Sequence, residues 1–243
     1  MREEYKPLME TAEDCGAAVR RLDAIVAVLR RECPWDRVQT HTSLRRCMIE
    51  EAYEAADAID RDDTANLREE LGDVLLQVVF HASLADAEGR FRLADVINEE
   101  CEKMIRRHPH VFSEESDKTV DKVLQRWENI KESEHDEHDV MARLNHVPRA
   151  FPALLRCRKL IEKAVEDTSK APTPEQACRK VKFNLKRIED AVDGSEEEMG
   201  MLTGDLLFSI VELTEILGTE PEEELAKAAD RFLENIQRSR RQR

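Results

Sequence analysis

Two short acidic motifs, close together in the sequence, carry residue types that could do chemistry. The first motif is EEAYE at residues 50–54, and the second is EELGD at residues 69–73. Because residues three or four apart share one face of a helix, each motif places a pair of carboxylates on one side of its helix. These pairs are Glu51 with Glu54 and Glu70 with Asp73. The short stretch at residues 60–64 predicts that the two helices are antiparallel neighbours, so that the carboxylates face one another.

Carboxylates that face one another repel, so the arrangement is stable only if cations lie between them or if some of them carry protons. All-oxygen ligand sets favour Mg²⁺ or Mn²⁺ over Zn²⁺. The alternative interpretation is a solvated acidic face near a helix N-terminus, which is common for a single Glu pair. Two pairs on successive helices favour the metal site, since the second helix runs into the segment 74–80, which is apolar nearly all round and is therefore expected to be buried.

The helices that position these motifs can be predicted from apolar spacing and capping signals. An amphipathic helix is predicted over Ala17–Arg31, ending before Pro34. The first acidic helix is expected to be capped by Thr42 or Ser43 and to end near Asp60. The other predicted helices span residues 66–88, 93–107, 120–133, 178–192, 199–217 and 221–238.

The composition agrees with a helical protein and excludes several functional classes. Of 243 residues, 41% are apolar and 37% are charged, with only 7 Gly and 8 Pro. The net charge of −15 argues against nucleic acid as a partner, because phosphate backbones need a basic surface. Six cysteines without a CxxC pair indicate reduced thiols. With no apolar run of about 18 residues and no apolar signal core, a cytoplasmic protein without a membrane partner is expected.

An internal repeat divides the chain. The segment GDVLL at residues 72–76 recurs as GDLLF at residues 204–208. The second copy keeps Asp205 but has Leu202 where the first has Glu70. The helix before it carries Lys182, Phe183, Asn184 and Arg187 in place of the EEAYE carboxylates. Two related helical modules are therefore predicted, and the second cannot hold a metal cluster because only one carboxylate persists.

These motifs resemble those of the MazG family of nucleoside triphosphate pyrophosphohydrolases, and the resemblance spans nearly the whole chain. It rests on CPWD at residues 33–36, QT at 39–40, both acidic motifs, RRHPHVF at 106–112, and Trp127 with Ile130-Lys131. The resemblance implies an all-α fold of two MazG-like helical-bundle modules, assembled as a homodimer. The catalytic module is expected at residues 1–133, a charged linker at 134–147 and a degenerate module at 148–243.

The same resemblance implies a reaction and the residues that perform it. The reaction is Mg²⁺-dependent hydrolysis of a nucleoside triphosphate to the monophosphate and pyrophosphate, with Mn²⁺ as an alternative ion, in nucleotide-pool house-cleaning. The implied metal ligands are Glu51, Glu54, Glu70 and Asp73, and the implied catalytic residues are Glu50, Glu54, Lys103 and Arg107. Glu50 would orient a ligand or help to activate water. Lys103 and Arg107 match a basic pair that contacts phosphates, although Cys101 departs from the family pattern.

Two further side chains have alternative interpretations. Trp35 could stack on the base of a nucleotide, as aromatic side chains do, or it could be a packing residue after Pro34. His81 lies on the apolar helix and is expected to be a core residue whose hydrogen bonds are satisfied.

Two other functional classes compete with the enzyme. A di-iron carboxylate bundle also places carboxylates on facing helices, but it needs a Glu-x-x-His pair on each of two helices, which the acidic motifs lack. A non-catalytic helical nucleotide-binding or regulatory interaction protein is the second alternative. For residues 148–243 alone, a structural or dimer-forming module is predicted.

Overall fold

The computed structural model describes residues 2–113, 119–134, 140–167 and 172–241, and every regular element in these ranges is a helix. The α-helices are α1 (Lys6–Met9), α2 (Cys15–Glu32), α3 (His41–Asp60), α4 (Thr64–Ala87), α5 (Leu93–Arg107), α6 (Pro109–Phe112), α7 (Val120–Glu134), α8 (Val140–Asn145), α9 (Ala153–Asp167), α10 (Pro174–Asp190), α11 (Glu196–Ile216) and α12 (Pro221–Arg241). Short 3₁₀ turns occupy Glu3–Tyr5 and Asp36–Val38. The predicted all-α fold is confirmed.

The chain divides into two compact units, Met1–Trp127 and Glu128–Arg243. The first unit contains α1 to α6, the second contains α8 to α12, and the division falls inside α7. Residues 135–139 of the predicted linker lie outside the described ranges, and residues 140–145 form α8. That the two units are related modules stays a prediction from the sequence repeat.

Helix α2 begins two residues before its predicted start, because Asp14 caps it. The Asp14 carboxylate accepts a hydrogen bond from the backbone N–H of Ala17 at 2.8 Å. The helix ends at Glu32, as the proline at position 34 predicts. Val26 lies fully buried on the inner face of this helix.

The cap of α3 is Thr40, and the prediction of Thr42 or Ser43 is wrong. The Thr40 hydroxyl accepts a hydrogen bond from the Ser43 N–H at 3.1 Å, and the Ser43 hydroxyl accepts one from the Thr40 N–H at 2.9 Å. Thr40 has extended backbone angles, which direct its side chain back at the free N–H groups of the first turn. The helix therefore starts at His41, before both predicted caps.

A three-residue connection, residues 61–63, reverses the chain between α3 and α4. Within it, Asp62 adopts a positive φ of 54°, and the Asp63 carboxylate accepts a hydrogen bond from the Asn66 N–H at 3.1 Å. This cap starts α4 two residues earlier than predicted. The helix is terminated at Gly89, whose φ of 67° is readily adopted by glycine.

The core of the first unit lies where α2 and α3 pack on α4. Its buried residues are Val26, Leu44, Val79, Phe80 and Leu84, with Leu22, Leu76 and Leu93 packed against them. The expectation that the apolar segment 74–80 of α4 is buried is wrong for one face of the helix. Leu71 is 55% exposed and Leu75 is 42% exposed, because α2, α3 and α5 leave this side of the helix uncovered.

In the second unit, α10 and α11 form the main helix pair, and α9 packs on α11. Leu202 and Val211 are buried on α11. Arg158 on α9 donates a hydrogen bond to Glu215 on α11 at 2.8 Å and also pairs with Glu220. None of the described helices combines the length and the apolar character needed to cross a membrane.

Candidate metal centre

Helices α3 and α4 pack along each other and bring the two acidic motifs to one place. One carboxylate oxygen from each of Glu51, Glu70 and Asp73 lies within 4.8 Å of the other two. Among the residues that the structure describes, this is the one group of three Asp, Glu, His or Cys side chains that comes so close. The spacing within each motif and the turn at residues 61–63 account for it, because they place both motifs on facing helix surfaces.

The carboxylates of this cluster are partly removed from water. Glu70 is buried, with 8% of its surface exposed, while Glu51 and Asp73 are half-buried. Burial raises the pKa of Glu70 above its ordinary value, and the charges of Glu54 and Asp73 add to the effect. Burial, followed by the charges of Asp73 and Glu54, likewise raises the pKa of Glu51. The cluster is therefore strained electrostatically when all its members are ionised.

Glu54 is the one predicted metal ligand outside the closest group. It is exposed, yet its charge helps to raise the pKa of both Glu51 and Glu70, so it acts on the same site. It lies one helical turn from Glu51 on α3. An exposed Glu side chain changes rotamer easily, so it could turn towards a cation if the other three carboxylates held one.

The donor set fits a hard divalent cation. Every oxygen in the group of three belongs to a carboxylate, and its members include neither His nor Cys. Mg²⁺ and Mn²⁺ prefer oxygen ligands, and a divalent charge would offset the mutual repulsion of the carboxylates. A di-iron centre fits less well, because its Glu-x-x-His pairs are missing from both acidic motifs.

Glu50, the neighbouring carboxylate on α3, has a partner of its own. Arg46, one turn earlier, donates a hydrogen bond to Glu50 at 2.7 Å, and both side chains are largely exposed. The charge of Glu50 still contributes to the raised pKa of Glu51. Its catalytic role stays a prediction.

The predicted substrate-contacting residues lie on other elements of the first unit. Trp35 precedes the turn at Asp36–Val38 and is 59% exposed, so its ring is open to a ligand. Lys103 on α5 pairs with Glu100. The Arg107 guanidinium lies 5.3 Å from the centre of the Trp127 ring. The phosphate contacts assigned to Lys103 and Arg107 stay predictions.

The polar face of α4 continues beyond the acidic motif, and the sequence analysis missed Gln77 on it. Glu70, Asp73, Gln77 and His81 recur three or four residues apart, a spacing that could have identified this face. Gln77 is only 8% exposed, and its Oε1 has no hydrogen-bond partner among the described protein atoms. The expectation of a satisfied core residue holds for only one ring nitrogen of His81: its Nδ1 is bonded to His41 Nδ1 at 2.7 Å, whereas its buried Nε2 likewise has no partner there.

Gly72 lies inside α4, between Leu71 and Asp73. A Cβ atom built at Gly72 would meet no described atom within 4 Å outside its immediate helix neighbours. Packing within the described chain therefore does not require glycine here. The matching residue of the repeat, Gly204, has the same open surroundings.

The second unit has a different arrangement at the matching position. Arg187 donates a hydrogen bond to the Asp205 carboxylate at 2.8 Å, and the Asn184 side chain donates one to the Asp205 backbone carbonyl at 3.2 Å. Leu202, which replaces Glu70 in the repeat, is buried. An internal cation thus offsets the charge of the remaining carboxylate.

Similarity to known proteins covers most of the chain. Residues 39–112, which contain both acidic motifs, match the model of the MazG nucleotide pyrophosphohydrolase domain. The nucleoside triphosphate pyrophosphohydrolase/pyrophosphatase MazG of Thermotoga maritima is 40% identical over 228 residues, covering 93% of this chain and 87% of that protein. The nucleoside triphosphate pyrophosphohydrolase of Escherichia coli K12 is 37% identical over 227 residues, covering 88% and 85% respectively. A crystal structure of a mazG-related protein from Thermotoga maritima aligns with 46% of this chain and 98% of its own, at 30% identity and a TM-score of 0.42.

Proposed function

The chain belongs to the MazG family and is a nucleoside triphosphate pyrophosphohydrolase, and we propose that its first unit carries the active site. The reaction converts a nucleoside triphosphate to the monophosphate and pyrophosphate. The observation that supports this location is the convergence of Glu51, Glu70 and Asp73 oxygens within 4.8 Å. Nucleotide-pool house-cleaning is the proposed context of the reaction.

Glu51, Glu54, Glu70 and Asp73 would hold Mg²⁺, or Mn²⁺ in its place. The bound ion supplies positive charge for the phosphates and lowers the pKa of a coordinated water. Burial of Glu70 limits the rotamers of its side chain, so its carboxylate is oriented before a ligand arrives. Glu50, held by Arg46 on the exposed side of α3, is proposed to orient a ligand or to assist the activation of water.

Lys103 and Arg107 are proposed to bind the outer phosphates and the leaving pyrophosphate. They lie four residues apart on α5, so their side chains share one helix face. Ammonium and guanidinium groups donate charge-assisted hydrogen bonds to phosphate oxygens, which stabilises charge that develops on the leaving group. Trp35, exposed on the loop before α3, is proposed to stack on the base.

We propose a homodimer in which apolar stripes of α3 and α4 are covered. Each helix carries two exposed apolar residues one turn apart: Ile49 and Tyr53 at 44% and 56% exposure, and Leu71 and Leu75 at 55% and 42%. Exposed apolar stripes on packed helices are typical of surfaces that are buried in an oligomer. A partner subunit would remove these side chains from water.

The second unit is proposed to be a structural module without a metal centre. Its remaining carboxylate, Asp205, is paired with Arg187, and its buried Leu202 offers no ligand atom. We also place the protein in the reducing cytoplasm, because all six cysteines are free thiols.

Pyrophosphate release from a panel of nucleoside triphosphates with Mg²⁺ tests the proposed site. Wild type is compared with Glu54→Gln, which removes a ligand charge, and with Glu13→Gln, which changes an exposed glutamate before α2. The proposed site is supported if Glu54→Gln forms neither monophosphate nor pyrophosphate while wild type and Glu13→Gln form both. Equal activity of all three proteins would place the site elsewhere, and no release by wild type would contradict the activity.

The position of attack is tested with the same protein in ¹⁸O-labelled water. Attack at the α-phosphorus leaves the label in the monophosphate, because pyrophosphate is then the leaving group. Label in pyrophosphate would contradict the proposed reaction course.

A further inference from the structure

Two histidines outside the acidic cluster bond directly to each other across α3 and α4. His41 Nδ1 and His81 Nδ1 are 2.7 Å apart, and the two rings are nearly parallel, at 13°, with centres 5.0 Å apart. A bond between two ring nitrogens needs one donor and one acceptor, so at least one ring is neutral. The Nε2 atoms of both rings are buried and have no partner among the described protein atoms. The one hydrogen bond seen for each ring within the described chain is therefore the bond to the other histidine.

His41 is the first residue of α3 and directly follows the loop that carries Trp35. The side chain of Gln39 links both ends of that loop: its Nε2 donates to the Trp35 carbonyl at 2.9 Å, and its Oε1 accepts from the Ser43 hydroxyl at 2.8 Å. Trp35 is thereby connected through Gln39 to the first turn of α3, where His41 lies.

Arg30 on α2 holds the same loop from the other side. Its Nη1 donates to the backbone carbonyls of Asp36 at 3.1 Å and Gln39 at 3.3 Å. The Arg30 guanidinium also lies 5.6 Å from the centre of the Phe80 ring, next to His81 in α4. The loop is thus linked to two adjacent residues of α4, through Arg30 to Phe80 and through His41 to His81.

Helix α4 extends this chain of contacts to the acidic cluster. His81 follows Asp73 by eight residues, a distance of about 12 Å along a helix, and shares its face. A helix transmits a displacement over this distance as a nearly rigid body. If the loop moves at His41, its position therefore changes relative to the carboxylates of Glu70 and Asp73.

We propose that the His41–His81 pair is a positioning device, which fixes the Trp35 loop relative to the carboxylates of α4 and so sets where the nucleotide base lies. This inference rests on the proposed function, because it assigns Trp35 to the base of the substrate. Neither histidine is required to touch the substrate. Burial and the neighbouring His41 also hold the pKa of His81 below its ordinary value. The His81 ring is therefore favoured in its neutral form at pH 7, and a neutral ring can either donate or accept the bond.

Two substitutions of His81 separate positioning from packing. Asn places an amide near the position of Nδ1 and can keep the bond to His41, whereas Leu fills the space and removes the bond. Asp86→Asn is the matched control, an exposed residue five positions later on α4. His41→Ala is the second test of the lost bond, since Thr40 and Ser43 still cap the helix.

Kinetics provide the first readout. With Mg²⁺ and the best nucleoside triphosphate, His81→Leu and His41→Ala are expected to raise KM about tenfold, the equivalent of one lost hydrogen bond, with kcat within about twofold of wild type. His81→Asn and Asp86→Asn are expected to stay near wild type. A lowered kcat with unchanged KM, or failure of His81→Asn to restore KM, would overturn the proposal.

Fluorescence provides a readout that does not depend on activity. The chain has two tryptophans, so Trp127→Phe leaves Trp35 as the single emitter. In this background His81→Leu and His41→Ala are expected to lower the anisotropy of Trp35 and to increase its quenching by acrylamide, while helicity stays unchanged. Unchanged Trp35 emission in folded variants would overturn the proposal, whether or not wild type hydrolyses nucleotides.

Discussion

Arg187 on α10 holds the carboxylate of Asp205 on α11 at 2.8 Å, at the repeat position that Asp73 occupies in the first unit. In the second unit, the negative charge of Asp205 is thus neutralised by the Arg187 side chain. The first unit instead gathers Glu51 and Glu70 around Asp73, which increases the negative charge at one place. The two helix pairs that carry the repeated sequence therefore differ in charge: α10 and α11 pair the carboxylate with a cation of the chain, whereas α3 and α4 bring three carboxylates together.

Neutralising the two aspartates is expected to have very different effects. Asp73→Asn should lower kcat/KM and Mg²⁺ affinity at least about 100-fold, since even loss of a group that only supports a ligand costs 10–100-fold. Asp205→Asn should leave both within about twofold and change the free energy of unfolding by at most about 1 kcal/mol, as for an exposed ion pair. Initial rates, calorimetric Mg²⁺ titration and urea unfolding measure these effects. A comparable loss of activity in Asp205→Asn would assign a functional site to the second unit.

Glu70→Gln is expected to separate folding from metal binding. The substitution keeps the shape of a buried side chain but removes a charge that burial and neighbouring carboxylates disfavour. The metal-free variant should therefore melt at a higher temperature than metal-free wild type, yet show little further increase with Mg²⁺. Thermal unfolding by circular dichroism, with and without Mg²⁺, checks both effects. A lower melting temperature in the metal-free variant would show that the Glu70 charge is compensated within the chain.

Stabilisation by Mg²⁺ is expected to weaken as the pH falls. The pKa values of Glu51 and Glu70 are raised above the ordinary value of 4.5, so above that pH these two groups bind more protons in the metal-free folded chain than in the unfolded chain. The contribution of these two groups to metal-free stability therefore falls as the pH rises through this range, while their deprotonation makes the ligands available to Mg²⁺. The Mg²⁺-induced shift in melting temperature, measured from about pH 5 to 8, should increase with pH.

The low pKa of His81 acts in the opposite direction on total stability. Its contribution is complete above its ordinary pKa of 6.5 and is lost as the pH falls below that value. Because it acts with and without Mg²⁺ alike, the difference between the two melting curves isolates the carboxylates. A Mg²⁺-induced shift that is independent of pH would contradict the assignment of Glu51 and Glu70 as ligands.

Charging the apolar stripe of α4 is expected to separate the proposed dimer. Leu71→Glu and Leu75→Glu place a carboxylate where the partner subunit would cover the side chain. Wild type should show a mass near twice 28.1 kDa by light scattering, and either variant should shift towards 28.1 kDa. Val192→Glu, which charges another exposed apolar residue at 72% exposure, is the control and should behave as wild type. A wild-type mass of one chain would contradict the dimer.

The main helix pair of the first unit could be predicted from the sequence because its signals are local. The acidic motifs have the helical period, and proline at position 34 stops α2. The cap of α3 could not be chosen among Thr40, Thr42 and Ser43 by residue type alone, since all three are good capping residues. Only the backbone angles of Thr40 decide which hydroxyl meets a free N–H.

The features that sequence reasoning missed depend on contacts between distant residues. The His41–His81 bond joins residues forty positions apart, and neither residue has a neighbour that indicates the other. The exposure of Leu71 and Leu75 could not be predicted either. An apolar helix has the same sequence pattern whether it is covered by a helix of its own chain or by another subunit. Gln77 is different, since its spacing from Glu70 and Asp73 was visible in the sequence.

Gly72 lowers the stability of α4, and no packing contact within the described chain requires glycine at this position. A mid-helix glycine lowers helix stability by about 1 kcal/mol relative to alanine, and the space around its missing side chain is open. Glycine is favoured at such a position when another molecule must come close to the helix backbone. Gly72 lies directly between Leu71, on the stripe assigned to the partner subunit, and Asp73, assigned to the metal. The exposed backbone at Gly72 would therefore let the proposed partner subunit or a ligand of the proposed metal approach α4 more closely than a side chain would permit.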